Sequence, residues 1–176
     1  MRTLKAIVTL ALVVLAVACE NGTPNLAGPE LRFSKAAVPK MVPFKATLTY
    51  QSTAPAPVER CGPEEIGMSL TKMGNATHLG RFTVVASQCL DPATGAITKG
   101  EAIFTAANGD QVFATQSGQV TGSPPVLAFE LDYTVTGGTG RFAGASGSIK
   151  ATGDFDVRTG GGSAALEGVI SSPGSK

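Results

Sequence analysis

Two stretches of strict alternation around a glycine-rich loop limit what this chain can fold into. From residue 126 to 136, Leu127, Phe129, Leu131, Tyr133 and Val135 alternate with Glu130, Asp132, Thr134 and Thr136. From residue 148 to 158, Ile149, Ala151, Gly153, Phe155 and Val157 alternate with Ser148, Lys150, Thr152, Asp154 and Asp156. A period of two is the pattern of a β-strand with one face buried and the other in water. Between them runs Gly137-Gly138-Thr139-Gly140-Arg141-Phe142-Ala143-Gly144-Ala145-Ser146-Gly147. The loop therefore joins two antiparallel strands, with glycines where other residues would be strained. It is not a dinucleotide loop, because the third glycine falls one residue late and a strand follows, leaving no helix N-terminus for a phosphate. It is not a Walker loop, because no Lys-Ser or Lys-Thr follows the last glycine.

The rest of the chain repeats this grammar. Apolar alternation predicts strands over 42–52, 66–72, 78–89, 97–106, 111–119, 126–136, 148–158 and 164–171, eight in all, with no helical period of any length. Gly74-Asn75, Asp91-Pro92-Ala93-Thr94-Gly95, Asn108-Gly109 and Gly122-Ser123-Pro124-Pro125 read as turns. With 22 glycines and 15% charged residues, the composition fits short strands joined by glycine-rich turns. Eight antiparallel strands in up-and-down order favour an all-β closed barrel over residues 42–172, since closure removes exposed edges; a sandwich is the alternative. In the middle of the chain, Val84-Val85, Ile103-Phe104 and Val112-Phe113 place apolar groups on both faces. Such an outer patch implies a cover, either a subunit interface of a homo-oligomer or the N-terminal segment folding back.

Residues 1–18 read as a signal peptide: Arg2 and Lys5 are basic, and 6–18 is an uncharged run too short for a stable membrane span. The run ends in Leu15-Ala16-Val17-Ala18-Cys19, which resembles a bacterial lipobox, with Ala16 standing where leucine is favoured. That resemblance implies lipidation of Cys19 and anchorage to the membrane of a bacterial cell envelope, facing outside the cytoplasm. Ala16-Val17-Ala18 also serves as an ordinary cleavage site, which would give a secreted protein. Residues 19–41, with Asn21-Gly22-Thr23-Pro24-Asn25, Gly28-Pro29 and Val38-Pro39, read as a flexible tether. If Cys19 carries lipid, Cys61 and Cys89 remain as an even pair, and a disulfide between them fits an oxidising compartment; two free thiols are the alternative.

Charge and chemistry exclude several classes. Loss of Arg2 and Lys5 leaves 12 basic against 13 acidic side chains, a net charge of −1, with no basic stripe to neutralise a nucleic acid. There is one histidine, His78, so a His-rich zinc site is excluded and a Ser-His-Asp triad would have to use it. The acidic residues lack calcium-loop spacing, and Asp154 and Asp156 share the polar face of one strand. No catalytic residue, metal site or cofactor is expected. Arg141 is expected either to anchor its loop on backbone carbonyls or to line a barrel mouth.

The loop over 137–147 is similar to the G-G-T-G-x-F-x-x-A-x-G signature of dirigent proteins, and the allene oxide cyclases carry a related loop. The position between the sixth and seventh of eight strands also agrees. With Ala107-Asn108-Gly109-Asp110 ahead of the loop, the chain also looks like small bacterial lipoproteins of unassigned function. The resemblance implies an eight-stranded calycin-like barrel, often oligomeric, whose lumen can hold an apolar small molecule. It implies a structural role for Gly138, Gly140, Phe142, Gly144 and Gly147. Dirigent proteins steer phenoxy-radical coupling and the cyclases close a fatty-acid-derived epoxide; no polar pocket residue of either family matches here.

Two function classes stay open, with an isomerase- or cyclase-like enzyme third. One is non-catalytic binding of a small apolar ligand, with Tyr50, Phe129, Tyr133 and Phe155 lining the lumen from the apolar faces of their strands. The other is a structural or protein-interaction module of the cell envelope, in which the same side chains fill the core.

Overall fold

The computed structural model describes residues 39–52, 58–171 and 173–174. The expected signal peptide, Cys19 and nearly all of the tether lie outside the described residues. Eight strands follow one another: β1 (Met41–Ser52), β2 (Ile66–Ala76), β3 (Gly80–Leu90), β4 (Ala96–Ala106), β5 (Gln111–Ser123), β6 (Val126–Gly138), β7 (Gly147–Asp156) and β8 (Gly161–Ser171). Each pairs antiparallel with its sequence neighbours, and β1 pairs with β8, so the sheet is a closed barrel rather than a sandwich. Closure leaves no strand edge unpaired.

Inside and outside follow the alternation. On β6, Leu131, Tyr133 and Val135 are buried while Glu130, Asp132 and Thr134 are exposed; on β7, Ile149 and Ala151 are buried while Lys150 and Thr152 are exposed. The core is one cluster, running from Phe44 on β1 through Phe82, Phe104 and Val112 to Leu166 and Ile170 on β8. Phe82, Phe104 and Tyr133 interlock, with ring centroids 6.0 Å and 5.6 Å apart and the second pair edge-on. Offset and edge-to-face packing suits the ring quadrupoles.

One pole of this barrel is plugged. The loop over 137–147 folds back through a short 3-10 turn, Gly140–Phe142, and drives Phe142 into the core, where it is 1% exposed. Leu79, from the β2–β3 turn, and Ile170 are buried with it. Gly140 sits at φ 56°, and a Cβ there would strike the Asp110 carboxylate. That carboxylate instead accepts from the Arg141 backbone N–H at 3.4 Å and pairs with the Arg141 guanidinium at 3.4 Å. The guanidinium also stacks 5.0 Å from the Phe142 ring centre. Among the described residues Arg141 thus anchors its loop through a carboxylate and a ring rather than through backbone carbonyls, and it stands at the pole away from the mouth.

Gly74-Asn75 is not a turn. Both residues lie inside β2, paired with Leu48 and Thr47 on one side and with Phe82 and Arg81 on the other. Gly74 is required by close approach: a Cβ there would strike the Thr47 carbonyl and come within 2.8 Å of the Leu48 Cβ. The reversal comes at Thr77–Leu79, where His78 takes φ 67°. The Asn108-Gly109 turn is where the sequence places it, closed by the Ala106 N–H donating to Asp110 O at 2.9 Å.

Candidate functional site

At the pole opposite Phe142 the barrel is hollow. A cavity of about 530 Å³ occupies that end of the lumen. Its walls are apolar for the most part, from Met68 and Leu70 on β2 round to Leu127, Phe129 and Leu131 on β6. Its rim is made of half-exposed and exposed residues, among them Ile66, Val157, Arg158 and Thr159. A volume of this size falls within the range of small-molecule sites, about 300–1,000 Å³.

The aromatic wall is built by glycines on the facing strands. Tyr50 stacks 6.3 Å from Phe155, at 12° between planes, and stands 6.3 Å from Phe129. The Tyr50 hydroxyl donates to the Asp154 backbone carbonyl at 2.6 Å. This bond lies directly over Gly162, where a Cβ would come within 2.6 Å of the Tyr50 oxygen, and a Cβ at Gly153 would come within 2.6 Å of the Phe129 ring. The absent side chains at 153 and 162 are the space the two rings occupy. Burial, and next the Asp154 carboxylate, push the Tyr50 phenol well above its ordinary range.

Of the residues expected to line the lumen, Tyr50, Phe129 and Phe155 are brought together on one wall of the cavity. Tyr133 is not with them. It is 2% exposed, packed edge-on to Phe104 in the filled half, and burial raises its pKa above the phenol range.

The polar residues of the site were not singled out from the sequence. Lys72 lines the cavity and is 3% exposed. Its side chain has no hydrogen bond or ion pair among the described residues; its ammonium lies 5.6 Å from the centre of the Tyr50 ring. Removal from water lowers its pKa from 10.5 to about 8. Gln88 and Gln116 are also buried, and the Gln116 Nε2 donates to Gln88 Oε1 at 2.6 Å. Among the described residues, Gln88 Nε2 has only the Met68 sulfur, at 3.9 Å, and Gln116 Oε1 has no partner. The signal for all of them was parity. Lys72 continues the inward series Met68, Leu70; Gln88 continues Phe82, Val84, Ala86; Gln116 continues Val112, Ala114.

Backbone irregularity lies beside the glutamines and buries Cys89 next to Gln88. The β3–β4 register shifts between Ser87 and Cys89, so that Gln88 and Cys89 are both buried, and the β4–β5 register shifts between Ile97 and Gly100. Bulges re-aim side chains in this way. Gly100 leaves the room that the Gln116 side chain fills, since a Cβ there would strike Gln116 Cγ.

The same region is braced from outside. Cys61 and Cys89 form a disulfide with Cα atoms 5.5 Å apart, as cysteine parity led us to expect. Arg60, next to it, donates to Lys99 O at 2.6 Å and Ser87 O at 2.8 Å, spanning both irregular segments. Glu65 accepts from Lys99 Nζ at 2.7 Å and from the Gly62 N–H at 2.5 Å, and the lysine is the main reason its carboxyl lies below its ordinary pKa. At the rim, Arg158 forks onto Asp156 at 2.8 Å and 3.2 Å, and this holds the Asp156 carboxyl down to about 2. His78 lies in the β2–β3 turn at the plugged pole, with its ring Nε2 3.1 Å from Pro43 O, remote from the cavity.

On the outside wall, Val85, Ile103 and Phe113 form a ladder across β3, β4 and β5, in register. Val85 is 56% and Ile103 41% exposed, while Val84, Phe104 and Val112 face inward. Among the described residues no helix is long and apolar enough to cross a membrane. No protein-family model and no curated protein matches the chain.

Proposed function

We propose that the protein binds a small apolar molecule in the open half of its barrel, without chemical conversion. The observation that carries this reading is the cavity of about 530 Å³, walled by apolar side chains and by the Tyr50, Phe129 and Phe155 rings. A core that existed only for stability would be filled like the Phe142 half, because interiors pack to crystal-like density and voids are destabilising. The lipobox-like run before Cys19 and the Cys61–Cys89 disulfide favour a lipid-anchored protein working outside the cytoplasm. Native mass spectrometry of the protein purified from its own envelope fraction tests the reading. A reproducible molecule at one per chain, recovered by organic extraction, is the expected result; a bare chain at every preparation counts against it.

A second reading has its own observation. The Val85–Ile103–Phe113 ladder, exposed at Val85 and Ile103 and half-buried at Phe113, is an apolar strip of the kind that meets another protein surface. On this reading the protein is an interaction module, and the strip is its contact. Sedimentation of Val85→Thr/Ile103→Thr beside the wild type tests it: an oligomer lost in the variant supports the strip as a contact, and a monomer in both removes self-association.

A further inference from the structure

We infer that the cavity takes its apolar ligand with an anionic head inward, a carboxylate received by Lys72. This rests on the binding reading above and adds the chemical class of the ligand.

The two polar residues at the inner end of the cavity, Lys72 and Gln88, have one sense; the unpartnered Gln116 Oε1 lies outside the cavity lining. Lys72 offers three N–H donors and accepts nothing. Gln88 lends its oxygen to Gln116 and turns its own N–H groups toward no stronger acceptor than a thioether. Both residues line the cavity, and both are buried to 3% exposure. Among the described residues no Asp or Glu lines the cavity, so none of them balances the ammonium. An uncompensated cation in an apolar enclosure is strongly disfavoured, and a buried lysine is ordinarily paired. The Tyr50 ring face gives partial compensation at 5.6 Å, as rings do for cations. What the site lacks is an acceptor with negative charge.

The apolar walls fix the remainder of the ligand. Between Lys72 and the rim stand Leu70, Phe129 and Phe155, which offer contact to a hydrocarbon chain or ring and no hydrogen bond to the hydroxyl groups of a sugar. A head group docked outward would have Arg158, but that guanidinium is exposed and already forked onto Asp156. Among the described residues the inner cation is the unpaired one. A charge-assisted bond formed there, out of water, is stronger than one at the rim.

A matched chain series tests this by calorimetry at neutral pH: decanoate, decan-1-ol and decylammonium, against the purified wild type and Lys72→Met. The expected result is decanoate bound at least tenfold more tightly than decan-1-ol by the wild type, with decylammonium weakest. In Lys72→Met the acid should lose tenfold or more while the alcohol keeps its affinity. Lys72→Gln, which retains a polar end, should lose the acid preference likewise. Equal affinity for acid and alcohol in the wild type overturns the head-group inference and leaves the cavity reading standing, as does an acid preference that survives in both variants. If none of the three binds the wild type, the cavity reading fails and this inference with it.

Discussion

The Lys72 ammonium and the Tyr50 ring face each other across the β1–β2 pair, 5.6 Å apart, and the two residues are direct partners in register. The pair sits where the packed half of the barrel gives way to the hollow half. Lys72 therefore carries the cost of its burial: a charge 3% exposed, with no anion beside it among the described residues.

That cost is measurable through pH. Lys72 titrates near 8 in the folded barrel and near 10.5 when unfolded. Between these values the unfolded chain holds a proton that the folded one has released, so stability rises with pH through that window. Below pH 8 the full penalty applies, about 3 kcal/mol for a shift of this size. Lys72→Met should stabilise the ligand-free protein by about that amount at pH 7. Its advantage over the wild type should shrink from pH 8 to 10.5. Urea unfolding of the two proteins in parallel checks this. Taking the difference matters, because Tyr50 and Tyr133 titrate above their ordinary range when folded and lower stability for both proteins at high pH.

Gln88 and Gln116 should behave as a unit. Gln116→Leu alone removes the only N–H donor to Gln88 Oε1 among the described residues and leaves that oxygen buried. A loss of about 1–3 kcal/mol is expected. Gln88→Met with Gln116→Leu removes both partners and the orphaned Gln116 oxygen, and should recover most of the loss. A double-mutant cycle by denaturant unfolding gives the coupling directly; additive losses would contradict the pairing.

Gly162→Ala should close the aromatic wall on itself. The new methyl group meets the Asp154 carbonyl and the Tyr50 hydroxyl that donates to it. Overpacking of this kind costs about 1–3 kcal/mol. The thermal midpoint should fall, and any ligand held against Tyr50 should bind more weakly. An alanine tolerated without change in either measurement would mean that the ring has room to move.

Removal of the disulfide should loosen the cavity side of the barrel. The bridge spans 28 residues in sequence and ties the β1–β2 connection to the end of β3. The chain-entropy model values such a loop at about 3.5 kcal/mol. Cys61→Ser/Cys89→Ser should show that loss in guanidinium unfolding. Hydrogen exchange should rise first at Gly67, the β2 partner of Cys89, and at the pairs on either side of it, Met68 with Gln88 and Ile66 with Leu90.

The barrel was legible because its evidence is local. Alternation along 126–136 and 148–158 assigns each side chain to a face without knowledge of any partner strand. Strand ends were less legible, because pairing extends strands through residues with weak propensity. Gly74 and Asn75 looked like a turn, yet cross-strand approach makes the glycine a requirement of the sheet interior. Three aromatic residues of the cavity were found from their faces, but the division of the lumen into a filled and a hollow half was not. That division depends on how far Phe142 reaches inward, which loop geometry decides. Lys72 was missed although its parity placed it inside. A charged residue at a strand end is read as the return to solvent, whereas β2 runs on for four residues beyond it, to Ala76.

The register of β1 against β8 pairs Met41 with Ser171, so the backbone comes into the barrel and departs from it side by side, on the rim that Phe142 stops up. The mouth is at the far side. The barrel is thus a cup whose first and last strands begin and end together at its closed base, so a molecule that enters the open end passes neither of those ends.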